Sequence, residues 1–183
     1  MDSNVFRISV RDMVFAAVFC ALLCAVSPFS FAFGPVPLTF ATLVIYLAAG
    51  TLRWKIAMLS VVLYILMGII GLPVFTNFEG GFHKVAGVTG GFIIGYIPCA
   101  FATGFITEVF KKRIWSYILG MVIGTVLLYT CGTAWFAYQT GSSFAISLTL
   151  CVTPFLIGDS IKIALACIIT PQLRNALAHV SRV

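Results

Sequence analysis

Six stretches of the chain are nearly unbroken apolar runs, and the Lys and Arg fall almost entirely in the short gaps between them. The runs cover about residues 12–33, 37–52, 55–72, 89–110, 114–138 and 153–173. A helix needs ~20 mainly apolar residues to cross a bilayer, fewer or more with tilt. The pattern therefore predicts an all-α integral membrane protein with six transmembrane helices, and the chain (1–183) reads as one transmembrane domain. The second and third runs are short and separated only by "LRWK", which predicts a tight helical hairpin. Ahead of the last run, "SSFAISLTLCVTP" is apolar up to Pro154, a residue suited to the first position of a helix. Residues 143–152 are thus expected as a separate short helix or re-entrant piece.

Composition removes the soluble alternative. Of 183 residues, 61% are hydrophobic and 9% charged, where a soluble domain carries roughly a quarter charged. The net charge of +6 would point to nucleic acid only if the basic residues clustered on a solvated domain. Here they sit beside apolar runs, so the partner they imply is the lipid bilayer and not nucleic acid. The apolar segment after the polar first 12 residues is far longer than the core of a cleavable signal, and it is read as the first span.

The same charges orient the chain. Six spans put both termini on one side, together with Arg7, Arg11, Arg53, Lys55, Lys111, Lys112, Arg113, Arg174 and Arg182. The other side holds only Lys84, and Lys162 lies inside a span. By the positive-inside rule both termini are cytoplasmic. The external face then carries "FGPVPLT" (33–39), the 72–91 loop and "YQTGSSF" (138–144).

Two charges do not fit a purely lipid-facing design. Asp159 and Lys162 stand three apart in the outer part of the last run, on one helix face. Each costs about 2.5–3.5 kcal/mol at a bilayer centre on insertion scales. A structural ion pair is the plain alternative, but apolar packing is often at least as stable as a buried pair. A carboxylate and an ammonium on one face suit a ligand with an N–H-bearing end and an anionic end. The 72–91 loop is long and Gly-rich, and Asn77 sits in it between Phe75 and Phe78. Long ordered loops are often lids or binding loops. The two prolines of "FGPVPLT" make a stiff, extended element, either a plain connector or a rigid cover over an outward pocket.

Other features bear on partners and exclusions. Ala17, Ala21 and Ala25 form a small-residue stripe on the first run, of the kind that lets helices approach closely in lipid. The six cysteines all lie in or beside apolar segments and read as small buried hydrophobes, not as a metal site. No G-x-S-x-G, H-E-x-x-H or phosphate-loop pattern occurs. An enzyme is not expected, nor a cofactor, and any active transport must be energised by something else.

Four motifs resemble one family. "GPVPLTFATLVIYLAAG" (34–50), "YILMGIIGLPVF" (64–75), "GVTGGFIIGY" (87–96) and "TPFLIGDSIKIALA" (153–166) look like the BioY family, the biotin-specific S components of energy-coupling factor transporters. The resemblance covers roughly residues 12–173. It implies a six-helix S-component fold in the cytoplasmic membrane and high-affinity biotin binding near the external surface. It implies that Asp159 and Lys162 contact the vitamin, with Asn77 as the matching loop asparagine. Phe33, Val36 and Leu38, or the backbone around Thr89, Gly90 and Gly91, would wall its rings. Asp159 would take ureido N–H groups and Lys162 an oxygen, or the two ends of biotin would be exchanged. Ala17, Ala21 and Ala25 resemble the surface that docks on a membrane coupling subunit, itself driven by two cytoplasmic ATPases. The rival on the same residues is a solitary or ion-coupled carrier of biotin or another small vitamin, in which Asp159 takes up a proton.

Overall fold

The computed structural model describes residues 9–31, 36–110 and 113–180, with side chains through 177. Phe33 and the basic residues Arg7, Lys111, Lys112 and Arg182 lie outside the described residues. The chain is mainly helical. Helix α1 (Val10–Val26) leads to a two-residue strand β1 (Ser30–Phe31), which pairs antiparallel with β2 (Leu38–Thr39). Then come α2 (Ala41–Thr51), α3 (Trp54–Ile69), a 3-10 turn (Thr76–Phe78) and the short α4 (Phe82–Ala86). Four longer elements follow: α5 (Gly90–Val109), α6 (Ile114–Thr140), α7 (Phe144–Val152) and α8 (Phe155–Val180).

Among the described residues, three helices are long and apolar enough to cross a membrane, namely α5, α6 and the Phe155–Leu177 part of α8. The first two expected spans are shorter than their apolar runs. The run to 33 stops being helical at Val26, because Pro28 has no N–H to continue the ladder. The run from 37 becomes helical only at Ala41, since Leu38 and Thr39 are extended and paired. The Thr39 hydroxyl then accepts the Ala41 N–H at 2.9 Å and starts α2. The expected short helix at 143–152 is α7, capped by the Ser143 hydroxyl, which accepts the Ile146 N–H at 3.4 Å. The 72–91 loop is not a plain connector, because it contains the 3-10 turn and α4.

Helix α2 is the structural centre. Nine of its 11 residues are buried, as expected for a helix that is apolar all round. At 1.5 Å per residue it is only ~16 Å long. Helix α5 packs on α6 through glycines: a Cβ on Gly124 would come within 2.9 Å of the Cys99 carbonyl oxygen, and one on Gly120 within 2.8 Å of that of Thr103. Such small-residue seams are the means by which helices associate where no hydrophobic drive separates them from lipid. Four cysteines are buried, Cys24 is half-buried and Cys131 is exposed on α6, so the expectation of burial holds for all but the last.

The connections gather at two ends. At one, the Trp54 N–H donates to Glu108 at 3.3 Å, and Trp54 meets Phe101 edge-on at 5.3 Å. Arg53, Lys55 and Arg113 belong to this end. At the other, Trp135 donates to the Gly87 carbonyl at 2.9 Å and Gln139 to that of Ala86 at 2.5 Å. The Asn77 N–H there donates to the Pro28 carbonyl at 3.1 Å. Because α2 is short, the chain above its first turn is the 36–39 segment with its paired Leu38 and Thr39, and beside it lies a cleft.

Candidate binding site

The cleft is where the two intramembrane charges are found. Asp159 and Lys162 project from the same face of α8 toward the start of α2, and each is only 5% exposed. Lys162 Nζ lies 2.8 Å from Asp159 Oδ1. It also donates to the Thr39 carbonyl at 2.7 Å and to Thr42 Oγ1 at 3.1 Å. An ammonium has three N–H donors, so Lys162 is fully engaged by the protein. The Thr42 hydroxyl passes its own proton to Asp159 Oδ1 at 3.4 Å. The second carboxylate oxygen, Oδ2, accepts the Tyr129 phenol at 2.6 Å. Residues from four elements thus converge on one carboxylate–ammonium pair: β2, α2, α6 and α8. Burial without these partners would be prohibitive, since isolated buried ions cost several kcal/mol each.

The space beside this network has two lobes. The first is lined by Leu38, Thr42, Leu128, Tyr129, Phe155 and the ion pair. The second is lined by Tyr64, Phe75, Thr76, Thr89 and Ile93. Val36, Pro37, Thr39, Phe92 and Tyr96 border both, so the lobes adjoin. One end is charged and hydrogen-bonded, the other aromatic with two threonine hydroxyls. Phe75 is seated against Tyr64 with ring centroids 5.7 Å apart, and the Tyr64 phenol donates to the Val74 carbonyl at 3.2 Å, which holds that wall in place.

The expected site residues separate into groups. Asp159, Lys162, Val36 and Leu38 line the first lobe, and Thr89 lines the second. Gly90 and Gly91 lie next to Thr89 but serve packing: a Cβ on Gly91 would come within 2.8 Å of the Cys131 carbonyl oxygen on α6. Asn77 is exposed and lines neither lobe. It has a left-handed backbone (φ 61°), and its Oδ1 accepts the Ser30 hydroxyl at 3.1 Å. Phe29 and Phe78 meet edge-on beside it at 5.3 Å. Asn77 therefore fastens the Thr76–Phe78 turn to the start of the segment over the cleft. Lys84 pairs with Glu79 at 2.7 Å within the same loop, and His83 is exposed.

Several lining residues were not anticipated: Thr39, Thr42, Phe92, Tyr96 and Tyr129. A phenol inside an apolar span usually finds a hydrogen-bond partner, and that requirement was the available signal for Tyr129. Away from the cleft, Ala17, Ala21 and Ala25 are exposed and line an apolar groove with Leu66 and Met67 of α3.

The sequence model of the BioY family matches residues 1–179. The biotin transporter BioY of Thermotoga maritima is 32% identical over 166 residues, covering 91% of this chain and 97% of that protein. The probable biotin transporter BioY of Pyrococcus horikoshii is 33% identical over 165 residues, covering 90% and 97%. Among solved structures, an S-component for biotin from an ECF-type ABC transporter superposes with a TM-score of 0.83 at 26% identity, over 96% of this chain and 95% of that one.

Proposed function

The chain belongs to the BioY family, and from that premise we infer that it binds biotin and acts in its uptake as the substrate-specific S component of an ECF-type transporter. The observation that carries this reading is the buried Asp159–Lys162–Tyr129 network closing one end of a small-molecule cleft with aromatic walls. Apolar pockets with a few placed polar groups are the usual design of such sites.

The hydrogen bonds favour one pose. Biotin carries a ureido ring with two N–H donors and a carbonyl, an apolar thioether ring and a valerate carboxylate. Lys162 has spent its donors on the protein, and the Thr42 and Tyr129 hydroxyl protons go to Asp159. What these four side chains offer a ligand is acceptor capacity beside a negative oxygen. A ureido N–H fits there, and a second carboxylate does not. The valerate then points to the second lobe, where Thr76 and Thr89 bring hydroxyls, and Phe92 and Tyr96 flank the rings between. Asp159 is the direct ureido acceptor. Lys162 holds that carboxylate in place at 2.8 Å and ties the 36–39 segment to α8 through the Thr39 carbonyl. Val36 and Leu38 wall the ligand, while Asn77 clasps the loop that covers it.

In the membrane, α1, α2, α3, α5, α6 and α8 make the six crossings of a single multi-pass domain, with both termini cytoplasmic and the cleft facing out. The chain carries no ATPase of its own and works with a membrane coupling subunit and two cytoplasmic ATPases. The groove bordered by Ala17, Ala21 and Ala25 is the docking face for the coupling subunit.

Equilibrium binding of biotin to the purified, detergent-solubilised protein tests the reading, with desthiobiotin, riboflavin and thiamine as competitors. Saturable binding displaced by desthiobiotin alone is the expected result, and no binding by folded protein would overturn it. Proton-dependent biotin uptake in vesicles lacking ATPase subunits would overturn the S-component assignment in favour of an ion-coupled carrier.

A further inference from the structure

A carboxylate has about four acceptor positions, two on each oxygen. On Asp159, both positions of Oδ1 are occupied, by Lys162 Nζ at 2.8 Å and by the Thr42 hydroxyl at 3.4 Å. One position of Oδ2 is occupied by the Tyr129 phenol at 2.6 Å. A single position on Oδ2 is left, and Asp159 and Tyr129 both line the cleft. Tyr129 is also set apart from other α6 hydroxyls. Thr125, Thr130 and Thr140 each donate to a carbonyl one turn back in their own helix, at 2.7, 2.8 and 2.8 Å, whereas Tyr129 reaches across to α8.

Resting on the biotin reading above, we propose that Tyr129 is a specificity-determining residue, whose phenol fills one acceptor position on Asp159 so that the site takes a ligand edge with a single N–H. The ureido edge of biotin carries one N–H beside a carbonyl, and that N–H fills the open position. A guanidine edge, as in 2-iminobiotin, sets nitrogen-bound hydrogens side by side. In the native site one of them is left buried without an acceptor, which weakens binding. Removing the phenol opens the second position on Oδ2. Biotin then leaves an acceptor unmatched, while 2-iminobiotin fills both. Tyr129 thus sets the preference between two ligands of nearly identical shape.

The test compares dissociation constants of biotin and 2-iminobiotin for the wild-type protein, Tyr129→Phe and Tyr46→Phe, at a single pH. Tyr46 is the control because its phenol lies 2.6 Å from the Thr125 hydroxyl in the core, and Tyr46 lines neither lobe. In Tyr129→Phe the preference for biotin over 2-iminobiotin falls by roughly tenfold, the scale of one hydrogen bond to a charged group. In Tyr46→Phe it stays within about twofold of wild type, a change below the effect of a single net hydrogen bond. Equal weakening of both ligands by Tyr129→Phe marks the residue as merely structural and overturns the proposal, as does an unmoved ratio. Should the phenylalanine variant not be recovered folded, 3-fluorotyrosine at position 129 strengthens the donor without changing the packing. The preference for biotin then rises, and an unchanged preference overturns the proposal. If the folded wild-type protein binds no biotin, the underlying reading falls and this one with it. Intact biotin binding with an unmoved ratio removes Tyr129 alone.

Discussion

Two of the molecule's hollows are built on opposite principles. The cleft beside α2 is small, and a charged pair, two hydroxyls and a backbone carbonyl converge on it. The groove between α1 and α3 is far larger, and among the described residues no charged one lines it. In the cleft, nearly every hydrogen-bonding position is already assigned, so a ligand must match the few that remain. In the groove nothing is assigned, and complementarity rests on shape and small residues. On the function proposed above, the first arrangement reads a molecule, and the second receives another apolar surface. A change that matters in one hollow should leave the other's function intact, and that independence can be attacked directly.

The largest effect is expected from Lys162→Met. It leaves Asp159 buried and unpaired, and breaking a buried pair in this way costs about 3–5 kcal/mol. Biotin affinity falls by roughly hundredfold or more, since each 1.4 kcal/mol is a factor of ten. Thermal unfolding and equilibrium binding read the two losses. The Asp159→Asn, Lys162→Met double variant recovers much of the stability but not the binding. Recovery of both would mean that the pair is structural only.

Next in size is Ala21→Leu, which fills the groove. Association with the coupling subunit drops by about tenfold or more, in line with the cost of overpacking a close interface. Biotin binding to the isolated protein stays unchanged, and a parallel loss of biotin binding would end the claim of two independent hollows. Thr42→Val comes third. It removes the hydroxyl that accepts from Lys162 and donates to Asp159, with an expected loss of about 1–3 kcal/mol in stability. Biotin binding weakens several-fold while coupling-subunit association holds, which a pull-down of the ligand-free protein checks. The smallest is Glu79→Gln. Its ion pair with Lys84 is partly exposed, and such pairs contribute about 0–1 kcal/mol. A change in biotin affinity beyond about twofold would show that this loop takes a more direct part in binding than its surface position implies.

How much of this was legible in the sequence depended on how rare each signal is. Charges in apolar spans are rare, so Asp159 and Lys162 stood out and were placed on one face by their spacing alone. Hydroxyls in apolar helices are common and usually turn back on their own chain, as Ser160 does to Leu156 at 2.6 Å and Thr149 to Ala145 at 3.1 Å. Nothing local distinguishes these from Thr42, whose hydroxyl crosses to another helix. Tyr129 was overlooked for the same reason, although its phenol needed a partner. The long helices α5, α6 and α8 followed hydropathy closely. The ends of α1 and the start of α2 did not, because hydropathy does not register the missing N–H of Pro28 or the pairing of Leu38–Thr39 with Ser30–Phe31. Asn77 was placed in a loop correctly, but which neighbour a loop side chain holds is decided by tertiary contacts, here Ser30.

The brevity of α2 has a consequence for the journey of the cargo. The hydrocarbon layer is ~30 Å thick. On the function proposed above, a ligand held at the first turn of an ~16 Å helix rests on an element about half as long as that layer is thick. There its ureido edge would exchange water for a protein acceptor. On that reading, the remaining task for an energised partner is release past a short helix, not past a full-length one.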